Sequence, residues 1–341
     1  MEKVLSIIIP TYNMEELLDS CLSSLLIKGL ERIEVIVVND GSTDSSLKIA
    51  QSYVEKYPGS FLTIDKENGN YGSCINHGLY KATGKYIKVL DADDSFYTDN
   101  FEEMVDLLEK TDVDLLFSDK MNIYADEEVY IKLPFPEDSI NDFEEYFTQN
   151  YHQFDRIWMH HVTYKREILT SINYRQTEGI FYTDNEWIYR PMANVKTWYY
   201  MGKPVYRYLL AREGQTMSAE VGKKHIHDRI VVTFKMLNYY KEMISIRPEL
   251  KEVFHYRIYR RIRMMYRTVI VKWKAYDNVE MAQLDQLLKI EHPELYKEVE
   301  DLNLNKHMLP FKYVKIWRRN HTGRYIRFVV WLYHFKRGKR A

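Results

Sequence analysis

From the N-terminus, apolar runs of strand length alternate with amphipathic runs of helix length, the pattern of parallel βαβ units rather than of hairpins. Val4–Ile9 is the first expected strand. Glu15 to Leu30 places Leu17, Leu18, Cys21, Leu22, Leu25 and Leu26 at helical spacing, and Ile33–Val38 follows as a second buried strand. A helix starting near Ser42 comes next, then the strand Phe61–Ile64 and a helix from Tyr71 to Ala82. The strand Tyr86–Leu90, a helix from Asn100 to Lys110 and the strand Val113–Ser118 complete the series. Five strands in this order predict an open, doubly wound α/β sheet. Past residue 120 shorter strand candidates (Glu128–Leu133, Trp198–Met201, Val205–Leu210) and short helices near 141–150 and 184–192 predict an α+β extension. From about residue 222 the pattern is helical: Phe254, Ile258, Ile262, Met265, Val269 and Trp273 recur at spacings of three and four, with Arg257, Arg260, Arg261, Arg263 and Arg267 between them.

The 341 residues, 45% hydrophobic and 28% charged, are enough for a full apolar core and exclude a disordered chain. Only Cys21 and Cys74 occur, each in a periodic apolar segment, which supports neither a disulfide framework nor a cysteine zinc site. A reducing, cytoplasmic compartment is therefore expected. The run Val4–Ile9 is short, stopped by Pro10 and preceded by Glu2, so it does not read as a secretion signal, and no stretch approaches the roughly 20 apolar residues of a membrane span. A soluble or peripheral protein is expected.

The net charge of -1 hides an asymmetry. Residues 1–218 carry 21 Lys+Arg against 36 Asp+Glu, whereas residues 219–341 carry 27 against 13, a difference of -15 in the first and +14 in the second. No acidic residue follows Asp301. A basic helical region is thus joined to an acidic body.

In open α/β sheets ligands bind beyond the carboxyl ends of the strands. Those ends read Pro10-Thr11-Tyr12-Asn13, Asn39-Asp40-Gly41-Ser42-Thr43-Asp44 and Asp91-Ala92-Asp93-Asp94. Neither a dinucleotide-binding glycine fingerprint nor a Walker loop is present. Asp91, Asp93 and Asp94 form a hard-oxygen set of the kind that holds Mg²⁺ or Mn²⁺ and leaves other positions to substrate phosphates. The same residues can also cap the next helix, and Asp44 reads as a turn and cap residue only.

Together these blocks say more. Ser6-Ile-Ile-Ile-Pro-Thr-Tyr-Asn13, Val-Val-Asn-Asp40-Gly-Ser-Thr-Asp44, Asn68-Gly-Asn-Tyr-Gly72 with Asn76, Ala82-Thr-Gly-Lys-Tyr-Ile87 and Leu90-Asp-Ala-Asp-Asp94 resemble, in order and spacing, the family 2 glycosyltransferases of the GT-A fold. The resemblance is strong over residues 4–118, looser to about 218 and absent beyond. It implies two halves, 1–118 for the nucleotide and 119–218 for the acceptor; the helical pattern and basic charge then mark 219–341 as a separate C-terminal region. It implies further that Pro10, Thr11, Tyr12 and Asp40 contact the base and ribose of a nucleotide sugar, which favours uracil. Asn68, Gly72 and Asn76 would close over the nucleotide, Asp91 would approach the ribose, and Asp93 would ligate the metal, with Asp91 beside it.

The segment Gly179-Ile-Phe-Tyr-Thr-Asp184-Asn-Glu186 is similar to the family segment that supplies the base for the acceptor hydroxyl. The usual Glu-Asp pair reads Thr183-Asp184, so Asp184 is the candidate base and Glu186 the substitute. Arg212, in an Arg-Gly-Ser-like closing loop, is implied to reach the diphosphate. Trp158, His160 and His161 lie where the family builds its sugar and acceptor pocket; as neighbours on one strand the two histidines would face opposite ways and make a poor metal pair.

The expected function is inverting transfer of a single sugar from a UDP-sugar to a glycan or lipid-linked acceptor, in cell-surface polysaccharide or glycolipid synthesis. The Gln-x-x-Arg-Trp motif and membrane helices of processive synthases are missing from the sequence. A non-catalytic nucleotide-sugar-binding scaffold of the same fold is the alternative. The basic region reads either as a bundle packed under the catalytic domain or as a peripheral attachment to an anionic membrane at the inner face of the cell, since aromatic residues interleave with its Lys and Arg. No recognised nucleic-acid module accompanies the charge, and no nucleic-acid partner is expected.

Overall fold

The computed structural model describes residues 2–210, 219–304, 311–319 and 323–338. Its strands are β1 (Leu5–Thr11), β2 (Ile33–Asp40), β3 (Phe61–Lys66), β4 (Tyr86–Val89), β5 (Ser95–Phe96), β6 (Leu115–Ile123), β7 (Glu128–Ile131), β8 (Ile140–Asp142), β9 (Val162–Lys165) and β10 (Thr197–Leu209). They join one sheet in the order β3-β2-β1-β4-β9-β6-β10-β5, with β7 paired to β6 and β8 to β10. The contiguous apolar runs of β1, β2 and β4 are buried on both faces, as parallel strands require.

Three expectations change. The sheet is not a five-strand parallel series, because β9 lies antiparallel between β4 and β6, Ile87 and Leu115 both facing Tyr164. This four-residue strand is buried at three of its positions, so it lacks the alternation that would reveal a strand in sequence. The helix expected over 15–30 shrinks to α1 (Leu18–Ser23). Residues just beyond it serve tertiary contacts instead: Ser24 Oγ accepts from the Phe96 N–H at 3.1 Å and the Ser24 carbonyl accepts from Thr98 Oγ1 at 3.1 Å. The candidates 198–201 and 205–210 are one strand, β10, with register shifts around Pro204.

Helices α1, α2 (Ser46–Lys56) and α4 (Thr98–Lys110) cover one face of the sheet, while α3 (Asn70–Lys81) lies on the other. The alternation of β1 serves both: Leu5, Ile7 and Ile9 join the first layer and Ile8 the second. Cys21 and Cys74 are buried in these opposite layers and are free thiols. The short helices α5 (Phe143–Gln149), α6 (Arg166–Ser171) and α7 (Asp184–Tyr189) belong to the second half.

The last region is helical, as expected: α8 (Ala219–Lys224), α9 (Ile226–Ile246), α10 (Lys251–Tyr266), α11 (Val279–Glu291), α12 (Pro293–Glu300), α13 (Tyr313–Arg319) and α14 (Arg324–Gly338). Its apolar stripe (Phe254, Ile258, Ile262, Met265, Val269) is buried in the same cluster as Ile8, Val38 and Ile75. The helical region and one face of the sheet therefore share a core, which favours the packed-bundle reading of the tail.

Candidate active site

Because β1, β2 and β4 run parallel and in register, with Thr11 opposite Asn39 and Ile8 opposite Val89, their carboxyl ends open on one edge. Tyr12 is exposed there, Pro10 half-buried and Thr11 buried. Asp40 is buried and held by its own neighbourhood: Lys66 Nζ pairs with it, the Gly69 N–H donates to Oδ1 at 2.9 Å, and Asn68 Nδ2 donates to its carbonyl at 3.0 Å. The two adjoining loops are laced together. Asn13, at φ 52°, accepts from the Thr43 N–H at 2.9 Å, and Asp44 accepts from the Glu15 and Ser46 N–H groups, the local task expected of it.

The acidic corner lies beyond β4. Tyr71 OH donates to Asp91 Oδ1 at 3.0 Å, and the Asp91 N–H donates to Tyr206 OH at 3.1 Å. Burial, helped by the charges of Asp93 and Asp184, raises the Asp91 carboxyl to about 7. Asp94 is buried and accepts from Tyr206 OH at 2.8 Å and the Leu209 N–H at 2.7 Å. Asp91, Asp94 and His160 bring possible ligand atoms within 4.8 Å of one another. Of these, Asp94 spends both oxygens on β10, and Lys120 Nζ stands 3.3 Å from His160 Nδ1, a poor neighbour for a cation. Asp91 with Asp93 offers an oxygen-only alternative for a hard divalent ion, since an added positive charge would relieve the repulsion between them.

Asp184 reaches this corner from α7, more than ninety positions away along the chain, and its charge is felt by Asp91, Tyr71 and Tyr208. Burial raises its carboxyl, while Arg261 and then the Asn185 side chain and Arg257 oppose the rise. Arg261 is buried on α10, donating to Thr233 Oγ1 at 3.0 Å and to the Arg229 carbonyl at 3.3 Å; burial lowers its guanidinium to about 10. Glu186, two residues on, faces the other way round the helix. It is fully buried and accepts from Tyr239 OH of α9 at 3.2 Å. The structure thus puts Asp184, not Glu186, beside the acidic corner.

Gly72 and Asn76 hold the segment leading to α7. A Cβ on Gly72 would lie 1.9 Å from the Thr177 carbonyl oxygen, so only glycine permits this approach. Asn76 accepts from the Gln176 N–H at 2.9 Å and donates to the Gln176 carbonyl at 2.9 Å and to Glu178 Oε1 at 2.7 Å. Arg212 lies outside the described residues.

Behind the acidic corner is a basic bed. His160 and His161 lie on a 3₁₀ turn before β9 rather than on a strand, which corrects the geometry expected of them. They still part company: His160 packs on Tyr206 and Tyr208 at 4.6 and 4.4 Å, whereas His161 Nδ1 accepts from the Trp158 N–H at 3.0 Å. Burial, then Lys120, drives both imidazoles well below their ordinary range. Lys120 Nζ sits 4.4 Å over Tyr208 and 5.1 Å over the exposed Trp158 ring. Lys88 is fully buried, donating to the His160 carbonyl at 3.0 Å and the Val162 carbonyl at 3.3 Å, and burial lowers it to about 7. Sequence reasoning missed Lys88, Lys120, Tyr71 and Tyr206; a lysine inside the apolar run Tyr86–Leu90 was the available signal.

The fold is a mixed α/β sheet whose strand ends gather carboxylates at one edge, and comparison specifies the family. Residues 6–172 match the family model "Glycosyl transferase family 2". The chain is 27% identical to the uncharacterized glycosyltransferase YibD of Escherichia coli over 75% of this chain and 77% of that protein. It is 36% identical to the minor teichoic acid biosynthesis protein GgaB of Bacillus subtilis over 33% of this chain, an alignment that spans only 13% of GgaB. In structure it is similar to S. aureus TarS 1-349 in complex with UDP-GlcNAc, with TM-score 0.58, 17% identity, and 86% of this chain and 89% of that chain covered. It is also similar to the mannosyltransferase PcManGT of Pyrobaculum calidifontis in complex with GDP-Man and Mn²⁺, with TM-score 0.51, 16% identity, and 87% and 83% covered. Residues 6–172 form a family 2 glycosyltransferase domain, and the fold is GT-A.

Proposed function

We propose that this chain transfers one sugar, with inversion, from a UDP-sugar to an acceptor hydroxyl on a glycan or lipid-linked glycan, in cell-surface polysaccharide synthesis. What supports the reading is the cluster of carboxylates at the strand ends, with Asp91 and Asp94 within 4.8 Å of each other and the charge of Asp184 acting on Asp91. That TarS is seen with UDP-GlcNAc and that GgaB is named for teichoic acid synthesis support the donor and the pathway. Peripheral attachment at the inner face of the membrane belongs to the same reading, because a lipid-linked acceptor would be met there.

Pro10, Thr11 and Tyr12 with Asp40 would bind base and ribose at the open edge, Asn68 would keep Asp40 in place, and Arg212 would meet the diphosphate. Asp91 and Asp93 would hold Mg²⁺ or Mn²⁺. When bound, that ion supplies positive charge against the negative charge that builds on the leaving diphosphate. Asp184 accepts the proton of the acceptor hydroxyl as its oxygen bonds the anomeric carbon; the bond from that carbon to the diphosphate oxygen breaks, and its electron pair leaves with the diphosphate. A single displacement inverts the centre. Gly72 and Asn76 act by holding segment 176–178 and hence the approach to Asp184, and Trp158 with His160 would border the sugar.

Calorimetric titration of UDP, GDP and their sugars into wild type and Asp93→Ala, with Mn²⁺ and with EDTA, tests the donor site. Binding of a UDP-sugar that needs the metal and disappears in Asp93→Ala is expected. Folded, metal-supplied protein that binds none of them overturns it. Tight binding without transfer or donor hydrolysis would instead indicate a scaffold.

A further inference from the structure

The last helix shows two unlike faces. Ile326, Val329 and Val330 of α14 are buried in the core shared with the sheet. The outer face carries Tyr325, Phe328, Trp331 and Phe335, which are 57%, 53%, 53% and 48% exposed. At roughly 100° per residue, Arg324, Phe328, Trp331 and Phe335 fall within an arc of roughly 60°. Phe328 and Trp331 stack at 6.1 Å and Trp331 and Phe335 at 5.2 Å, so the rings form a continuous outward ridge. Isolated exposed apolar residues are ordinary; a contiguous aromatic ridge on a helix anchored by its other face marks a contact surface.

What covers the ridge follows from charge. Arg324 lies among the rings and Arg327 beside them, both exposed, and no acidic residue occurs in α14 or anywhere after Asp301. Of the preceding cations, Lys312 pairs with Asp301, Lys315 with Glu300 and Arg318 with Asp285, while exposed Arg319 adds to the positive surface. A second copy docking helix to helix on this ridge by two-fold symmetry would set Arg324 against α14 itself, which carries arginines and no carboxylate. A surface of lipid phosphates receives it directly, with the rings in the headgroup layer. No described helix is long and apolar enough to cross a bilayer, so the contact is with the surface.

We infer that the outer face of α14 seats this protein on an anionic lipid bilayer, through Phe328, Trp331 and Phe335 as interfacial anchors and Arg324 and Arg327 as phosphate contacts. This deepens the peripheral-attachment reading and assigns it a face. It does not depend on the transfer chemistry.

The test is co-sedimentation of the full chain with vesicles of phosphatidylglycerol and phosphatidylcholine in equal parts, and of phosphatidylcholine alone, without donor or acceptor. Wild type is expected to bind the anionic vesicles, to be released by salt, and to bind neutral vesicles at least tenfold less. Phe328→Ser/Trp331→Ser should lose at least tenfold in binding while keeping the wild-type melting curve and UDP titration. Arg324→Gln/Arg327→Gln provides a second variant that leaves the ridge intact, and it should lose the anionic preference. Wild type that ignores anionic vesicles, or ridge and arginine variants that bind as well as wild type, overturns the inference. So does a wild-type dimer that becomes monomeric in the ridge variant without vesicle binding. Because UDP titration is read separately, failure here leaves the transferase reading standing.

Discussion

The acidic corner and the basic bed behind it lie against each other yet handle charge in opposite ways. Asp91, Asp93 and Asp184 are half-buried at an open edge, where burial and the charges of Asp93 and Asp184 raise the Asp91 carboxyl, and Arg261 and Arg257 stand behind Asp184. Lys88 is fully buried and donates to neutral acceptors, two backbone carbonyls and Thr163 Oγ1, so burial rather than pairing sets its state. Stored repulsion at an accessible edge is what a site for a cation and a proton requires. A cation sealed under β9 tends instead to neutralise, and its amine serves as a cross-brace between β4 and the turn before β9.

The strongest way to break this contrast is Asp184→Asn. If Asp184 takes the acceptor proton, transfer should fall about 10²–10⁴-fold while UDP-sugar binding stays near wild type, checked by a transfer assay beside calorimetry. An equal loss of binding would place Asp184 in donor recognition instead.

Lys88 sharpens the other side through pH. Its folded value of about 7 lies below the ordinary lysine value of about 10.4, so between these the unfolded chain holds more protons and stability must rise with pH. From pH 7 to 9.5 wild type should gain on the order of 3 kcal/mol relative to Lys88→Met, measured by urea unfolding at both pH values. Parallel curves would show that Lys88 stays charged and solvated.

Gly72→Ala probes the bridge between the regions. The Thr177 carbonyl must move to admit a methyl group, at a cost of about 1–3 kcal/mol, and the melting temperature should drop with a loss of transfer as segment 176–178 shifts. The smallest effect belongs to Glu186→Gln. The amide keeps the Tyr239 contact, so transfer should stay within about threefold of wild type, with under about 1 kcal/mol lost in unfolding.

The strand-end edge was legible because its strands are consecutive βα units whose ends carry short polar blocks; Pro10-Thr11-Tyr12, Asp40 and Asp91–Asp93 fall where the pattern places them. One block proved structural. Gly84 of the Ala-Thr-Gly-Lys motif sits at the opposite end of β4, where its N–H and Thr83 Oγ1 both donate to buried Glu34 at 2.9 Å. The choice between Asp184 and Glu186 was not legible, since both are acidic residues opening one short helix. Their surroundings come from α9 and α10, some fifty to seventy-five positions later, through Tyr239, Arg257 and Arg261.

By itself the sequence determined the alternating elements, the family, the strand-end carboxylates and the uneven charge along the chain. These are local quantities: periodicity, turn residues and composition are properties of neighbouring positions. Only the tertiary structure decided that β9 runs antiparallel between β4 and β6, that the helical region shares the sheet's core, and that the rings of α14 face outward while its valines face in. Each of these depends on pairing and burial between segments far apart in the chain, and an amphipathic helix has an inner face only once something is there to cover it.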